Sequence, residues 1–265
     1  MRKRLIEAVK SANERKPLNK VFLSDVMTAI EKYDNLKAHK PSEWYKPSSL
    51  NCLRQMYFMR TKTEPDDTIT DYTSIGMADT GSRRHVAIQT VLENMESMGY
   101  DWRYVDVSDY VDMKKSQGKC AFLDVVGKNG AETKLFDNAM KVMFLCDGIM
   151  QRISTGEYYL FEFKNQISFK ANGKEGVDKE HYNQVTAYCA ELDLNKALVL
   201  YENRDNCNLE CPEVFEVTQE MKDSFYDRLL DCEGYVERLI VPPKCENMKI
   251  CRWCKYKTAC REAGQ

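Results

Sequence analysis

The segment Tyr158-Tyr159-Leu160-Phe161-Glu162-Phe163-Lys164 is an apolar strand with two charges set into it, two residues apart. In an extended chain residues i and i+2 share a face, so the pleat sends Glu162 and Lys164 the same way. Charges on the inner face of a strand need partners. The preceding run Val142-Met143-Phe144-Leu145-Cys146-Asp147-Gly148-Ile149 reads as a second strand, and Ser154-Thr155-Gly156-Glu157 as the hairpin turn between them. Antiparallel pairing then brings Asp147 beside Glu162. Two adjacent carboxylates repel unless a cation lies between them, and a bridging Mg²⁺ would satisfy both and polarise a phosphoryl oxygen. Lys164 would orient the attacking water or stabilise developing negative charge. A buried salt bridge of Lys164 with either acid is the alternative.

The rest of the chain places these strands in an α/β context. Residues 4–34 read as helical with a break near Lys16-Pro17-Leu18-Asn19, and Lys46 to Cys52 as a turn entering a short helix through Arg54 to Met59. Residues 61–80 are polar and unassigned. Gly81 to Met98 reads as a helix whose face includes His85, Tyr104 to Val107 and Leu123 to Val126 as strands, and Asn165 to Lys179 as a polar loop. Glu180 to Leu192 is a helix, Ala197 to Tyr201 a buried strand, and Gln219 to Leu239 a longer helix ending before Pro242-Pro243. Helix, meander, helix and strand in that order predict an α/β core with a central mixed sheet flanked by helices. Three segments follow: 1–80 helical, 81–218 as the core, and 219–265 as a helix with a cysteine-rich tail. With Asp147 and Glu162 nearby, His85 becomes a third candidate metal ligand. His181, Gln184 and Tyr188 fall on one helix face after the polar loop and could line the same cleft.

Charge and cysteine usage narrow the partners. The 265 residues carry 39 Lys and Arg against 41 Asp and Glu. The ends are basic, with an excess of five positive charges over residues 1–50 and four over 244–265, and the centre is acidic. That division suits phosphate contacts at the ends and divalent metal in the middle. There is no long apolar run and no secretory pattern, so the sequence predicts a cytoplasmic protein with no membrane partner. Eleven cysteines, an odd number, argue against a disulfide framework there. Cys245-x5-Cys251-x2-Cys254-x5-Cys260 has ligand spacing, for zinc or for an iron-sulfur cluster.

The ordered set Gly81-x3-His85, Asp147-Gly148, Glu162-Phe163-Lys164 and Gln184-x3-Tyr188 resembles the nuclease core of the RecB-like branch of the PD-(D/E)XK superfamily. Cys52 upstream and Cys251-x2-Cys254-x5-Cys260 downstream look like the iron-sulfur nucleases of the CRISPR-associated and AddB types, in which a 4Fe-4S cluster joins the two ends of the chain. The resemblance runs from about Lys46 to Cys260 and leaves out the first 45 residues. It implies that His85, Asp147, Glu162 and the Phe163 carbonyl ligate Mg²⁺ or Mn²⁺, that Lys164 assists the water, and that Gln184 and Tyr188 position DNA. It also implies that Cys52, Cys251, Cys254 and Cys260 hold the cluster, with Cys245 as an extra. The expected activity is DNA phosphodiester hydrolysis, exonucleolytic on single strands or duplex ends, in end processing, recombination or repair. Lys170, Lys174 and Lys179 are candidate phosphate contacts, and Tyr57, Phe58 and Trp253 candidate base-stacking residues with core packing as their alternative. The competing expectation is an iron-sulfur DNA-binding subunit of a recombination or CRISPR-adaptation complex, with protein partners and little cleavage of its own.

Overall fold

The structure, a computed structural model, describes residues 17–35, 42–66, 71–167, 176–246, 248–252 and 254–264. Contacts divide the chain into two compact units, one containing residues up to 40 together with Asp67–Thr80, the other Pro41–Asp66 with Gly81–Gln265. In the first unit, helix α1 (Leu18–Asn35) starts just after Pro17, whose carbonyl accepts the amides of Lys20 and Val21. Helix α3 (Tyr72–Glu93) begins in the same unit, where Glu31 and Asp71 accept the amides of Tyr72 and Ser74. Those carboxylates satisfy amides that the first helical turn leaves open. Helix α3 starts nine residues earlier than its apolar spacing predicts, because this capping, rather than periodicity, sets its beginning.

The second unit carries a mixed sheet of β1 (Trp102–Val105), β5 (Gly148–Arg152), β6 (Tyr158–Gln166), β7 (Lys196–Asn203) and β8 (Leu209–Glu210), in that order, with β9 (Val214–Glu216) also paired to β7. Among the described strands of this sheet only β6 and β7 run parallel, and helix α5 (Lys179–Glu191) lies in the crossover between them. A smaller antiparallel sheet joins β2 (Leu123–Asn129), β3 (Glu132–Asp137) and β4 (Val142–Cys146). The apolar run from Val142 to Ile149 is therefore two strands in two sheets, broken at Asp147. The apolar residues on both sides of Asp147-Gly148 suit a strand, so the sequence marks an interruption there but not a change of sheet.

Alternation along β6 assigns its faces. Phe161 and Phe163 pack with Met150, Ile88, Leu92 and Tyr104 under helix α3. Leu160 joins the main core with Val185, Leu192, Val199 and Leu229, beneath α5 and helix α6 (Gln219–Glu237). Glu162 and Lys164 share that second face. Thr218 caps α6 by accepting the amide of Met221, and Asp106 caps helix α4 (Val107–Ser116) through Ser108. Val107, read from sequence as the end of a strand, is the first residue of α4 because that cap overrides its β-branched preference. Helix α2 (Leu53–Arg60) and the short helices α7 (Met248–Cys251) and α8 (Lys257–Glu262) complete the unit. Among the described residues no helix is long and apolar enough to cross a membrane.

Candidate metal centre and cysteine corner

Asp147 sits at the break between β4 and β5. The β5–β6 pairing begins at Gly148 opposite Phe161, which leaves Asp147 next to Glu162. Its Oδ2 accepts the Phe163 amide at 2.7 Å, and its Oδ1 lies 3.5 Å from His85 Nε2. Gly148 is required for close approach, since a Cβ there would strike the Tyr104 ring. The Tyr104 hydroxyl in turn donates to the Asp147 carbonyl at 3.3 Å and accepts from Gln89 on α3 at 2.9 Å. This stack couples the Asp147 backbone to the helix that carries His85.

On the other face, Lys164 Nζ donates to Glu162 Oε1 at 2.6 Å and to Gln184 Oε1 at 3.1 Å. The Gln184 amide donates to Glu162 Oε1 and to the Tyr188 hydroxyl, both at 2.9 Å. Gln184 and Tyr188 thus lie one turn apart on α5, against the acid and the lysine. Glu162 Oε2 and His85 Nε2 are buried with no hydrogen-bond partner. Atoms of this kind cost free energy unless something else satisfies them.

Sequence reasoning missed Glu132. A ligand atom from each of His85, Glu132 and Asp147 lies within 4.8 Å of the others, and Glu162, drawn toward Lys164, is not of that group. Glu132 begins β3 just after the loop Gly130-Ala131, in which Gly130 takes φ +66°. Asn129-Gly130 lying between Val125-Val126 and Leu135-Phe136 is the turn signal that would have revealed this hairpin.

The electrostatics follow from burial. Desolvation and then the charge of Glu162 push the Asp147 carboxyl well above its ordinary range. Burial likewise raises Glu162, against the pull of Lys164, and raises Glu132, which Glu162 pushes further. Burial alone would depress Lys164, but Glu162 and Asp147 outweigh it and the ammonium is held above its usual value. Burial, aided by Lys164, lowers His85 to about 4, so its imidazole is neutral at pH 7. Neutral imidazole nitrogen and carboxylate oxygens are the donors that a divalent ion such as Mn²⁺ or Mg²⁺ takes. With two buried donor atoms unsatisfied, the residues fit such an ion.

The cysteines of the two chain ends gather at a separate corner. Cys52 caps α2 and is buried, Cys251 ends α7, Cys254 follows it in a turn and Cys260 lies in α8. Burial raises the Cys52 thiol, and Cys245 and Cys254 are near enough to raise it further. Burial also raises Cys254, with contributions from Cys251 and Cys260. Cys245 Sγ lies 3.9 Å from the Asn51 carbonyl, on the Cys52 side. Arg54, 1% exposed, donates to the carbonyls of Pro242, Cys260 and Gly264, approaches Cys260 Sγ at 3.6 Å, and has Nη2 unpartnered. A buried guanidinium with no carboxylate partner among the described residues fits a neighbouring set of thiolates, which would supply negative charge if they held a metal centre.

Other sequence candidates fall elsewhere. Tyr57 and Phe58 are core residues, with Phe58 packed on Tyr256 at 5.9 Å, and present no free ring face to a base. They are apolar positions on the inner side of α2, where burial takes precedence. Lys170, Lys174 and Trp253 lie outside the described residues. His181 stacks on Tyr201, one turn before Gln184. Cys146, Cys189 and Cys232 are buried, whereas Cys207 and Cys211 are exposed.

No protein-family profile and no curated protein matches the chain. A solved structure to which it is similar, described as the crystal structure of SSO0001, shares 14% identity at a TM-score of 0.44, covering 92% of this chain and 98% of that one.

Proposed function

We propose that this chain is a divalent-metal-dependent DNA nuclease with a RecB-like PD-(D/E)XK core, acting as an exonuclease on single strands or duplex ends. In this reading Cys52, Cys251, Cys254 and Cys260 hold a 4Fe-4S cluster. The observation that carries the reading is the pair of buried, unpartnered atoms His85 Nε2 and Glu162 Oε2, beside an ammonium 2.6 Å from Glu162. None of the chain's eleven cysteines forms a disulfide in the structure, and cluster-ligating thiolates suit a reducing cytoplasm.

His85, Asp147, Glu162 and the Phe163 carbonyl would hold the ion, which when bound supplies Lewis acidity toward a phosphoryl oxygen and a more acidic water. The chain's own groups do the rest. The Phe163 amide fixes one Asp147 oxygen and leaves the other facing His85. Gln184 and Glu162 occupy two of the three Lys164 N–H groups. The third is left to orient a water for in-line attack and to stabilise charge on the phosphate. Tyr188 and Gln184 set the rotamers of the acid and the lysine rather than touching bases, since Tyr188 is 5% exposed.

The test is cleavage of end-labelled and circular DNA with Mg²⁺, Mn²⁺ or EDTA. Wild type is expected to degrade linear DNA with metal only, and Glu162→Gln to lose at least about 10³-fold in rate while still binding DNA. Undiminished cleavage by Glu162→Gln would remove the site.

A further inference from the structure

The hairpin of β2 and β3 belongs to the small sheet, yet its turn end reaches the centre of the large one. The β3–β4 register ends with Thr133 opposite Cys146, so the next step sets Glu132 across from Asp147. Like charges at directly opposed positions destabilise a sheet. Here the opposed pair also lies beside Glu162, whose charge acts on both. The hydrogen bond that holds Glu132 is from Asn129 Nδ2 at 3.5 Å, the outer limit of such a bond, and no lysine or arginine forms an ion pair with it among the described residues. Sheet pairing therefore holds a carboxylate where its own surroundings do not favour it.

Charge counting shows what would. Glu132, Asp147 and Glu162 bring three negative charges, and Lys164 returns one positive, leaving an excess of two in a largely buried site. One divalent ion cancels that excess. Without Glu132 the same ion would leave a net positive charge in low dielectric, where uncompensated charge is costly. Glu132 also lies on the His85 side of Asp147, within 4.8 Å of both ligand atoms, so the ion would be held from two sheets and a helix.

Resting on the proposed metal site, we infer that Glu132 is an additional ligand of the divalent ion, delivered by the β2–β3 hairpin, and that ion binding ties this hairpin to the large sheet. The outer half of β2 is exposed and a bulge between Val125 and Gly127 interrupts its ladder, so the turn end of the hairpin is held from one side, through the pairing of β3 with β4 that begins at Thr133. Local regions with few buried contacts open most readily, so a ligand bond there has a measurable effect on amide exchange.

The experiment uses the full chain. Mn²⁺ binding is measured by calorimetry and by electron paramagnetic resonance for wild type, Glu132→Gln and Glu132→Asp, and hydrogen exchange over residues 123–137 is followed with Mn²⁺ and with EDTA. Glu132→Gln should weaken Mn²⁺ binding by at least about tenfold, the lower end of what even an outer partner of a metal contributes. It should also abolish Mn²⁺-dependent protection of the hairpin while exchanging like wild type in EDTA. Glu132→Asp, which keeps the charge, should recover part of the affinity. Equal Mn²⁺ affinity in wild type and Glu132→Gln, with hairpin exchange indifferent to Mn²⁺, overturns the inference and leaves the metal site standing. A wild-type protein that binds no Mn²⁺ removes the metal site itself, and the inference with it.

Discussion

At the break between the two sheets, Glu132, Asp147 and Glu162 share one ammonium, Lys164. At the cysteine corner, a fully buried guanidinium, Arg54, makes no ion pair with a carboxylate among the described residues and donates to carbonyls and a thiol. With its carboxylates ionised, one region has more negative charge than its own residues balance, and the other has more positive. Neither imbalance has a purpose in a fold held by burial alone, because an unpaired buried charge opposes folding. The signs are opposite, so in the proposed reading the two regions would take opposite additions: a hard cation at the first and a set of anionic thiolates at the second. The comparison also separates their places in the chain, since the first lies at strand ends of the core and the second joins segments about 200 residues apart in the chain.

Removing each lone cation tests that contrast most strongly. Lys164→Met should reduce DNA cleavage by about 10²- to 10⁴-fold, the range for a positioned proton-transfer or charge-stabilising group. It should change folding far less in the presence of Mn²⁺, and cleavage within tenfold of wild type would show that the ammonium only balances charge. Arg54→Met should leave the acidic site intact but lower stability by about 3–5 kcal/mol when the cysteines carry a cluster, because it strands their negative charge. Denaturant melts together with absorbance near about 400 nm, where thiolate-bound iron absorbs, read this directly. If Arg54→Met melts with wild type and keeps its colour, the two regions are not opposites. Gly148→Ala is the smaller steric counterpart. Its methyl would meet the Tyr104 ring, and the resulting strain of about 1–3 kcal/mol should shift the thermal midpoint and disturb Asp147 while sparing the cysteine corner.

Legibility in the sequence divides along the same line. Glu162 and Lys164 are conspicuous because they interrupt an apolar strand with period two, and the structure places both on the face of α5. Asp147 is visible as the polar end of an apolar run, but the change of sheet there is not, because strand propensity is the same on both sides of the break. Glu132 escapes because β3 is short and polar: Asn129-Gly130 and Leu135-Phe136 mark a hairpin, but its alternation of buried and half-buried residues arises from packing on neighbours distant in sequence. Arg54 escapes for a deeper reason. A charged residue two positions after a cysteine reads as surface, and only the docking of Pro242, Cys260 and Gly264 around it reveals burial. Helix α3 is legible from Gly81 onward by its apolar face, whereas its first turns depend on caps from Glu31 and Asp71.

The dependence on pH sharpens the comparison without any mutation. Asp147 and Glu162 titrate above the unfolded carboxylate range, so the folded metal-free protein holds protons that the unfolded chain has released. Stability from these groups is full below the unfolded carboxylate values and declines as pH rises through the raised folded ones. His85 works at the other end. Its folded value of about 4 lies below the ordinary 6.5, so its contribution is present above pH 6.5 and is lost as pH falls toward 4. At the cysteine corner Cys52 and Cys254 are raised above an ordinary thiol value that already exceeds neutrality, so without a cluster they stay protonated from pH 5 to 8. In EDTA the acidic site should therefore lower the thermal midpoint over the pH interval above the ordinary carboxylate range, against the opposite trend that His85 gives between pH 4 and 6.5. Mn²⁺ competes with protons for the same carboxylates, so the midpoint gain that it gives should grow over that interval. Thermal melts at fixed Mn²⁺ across this range decide the matter: a gain independent of pH would mean that the ion binds somewhere other than these carboxylates.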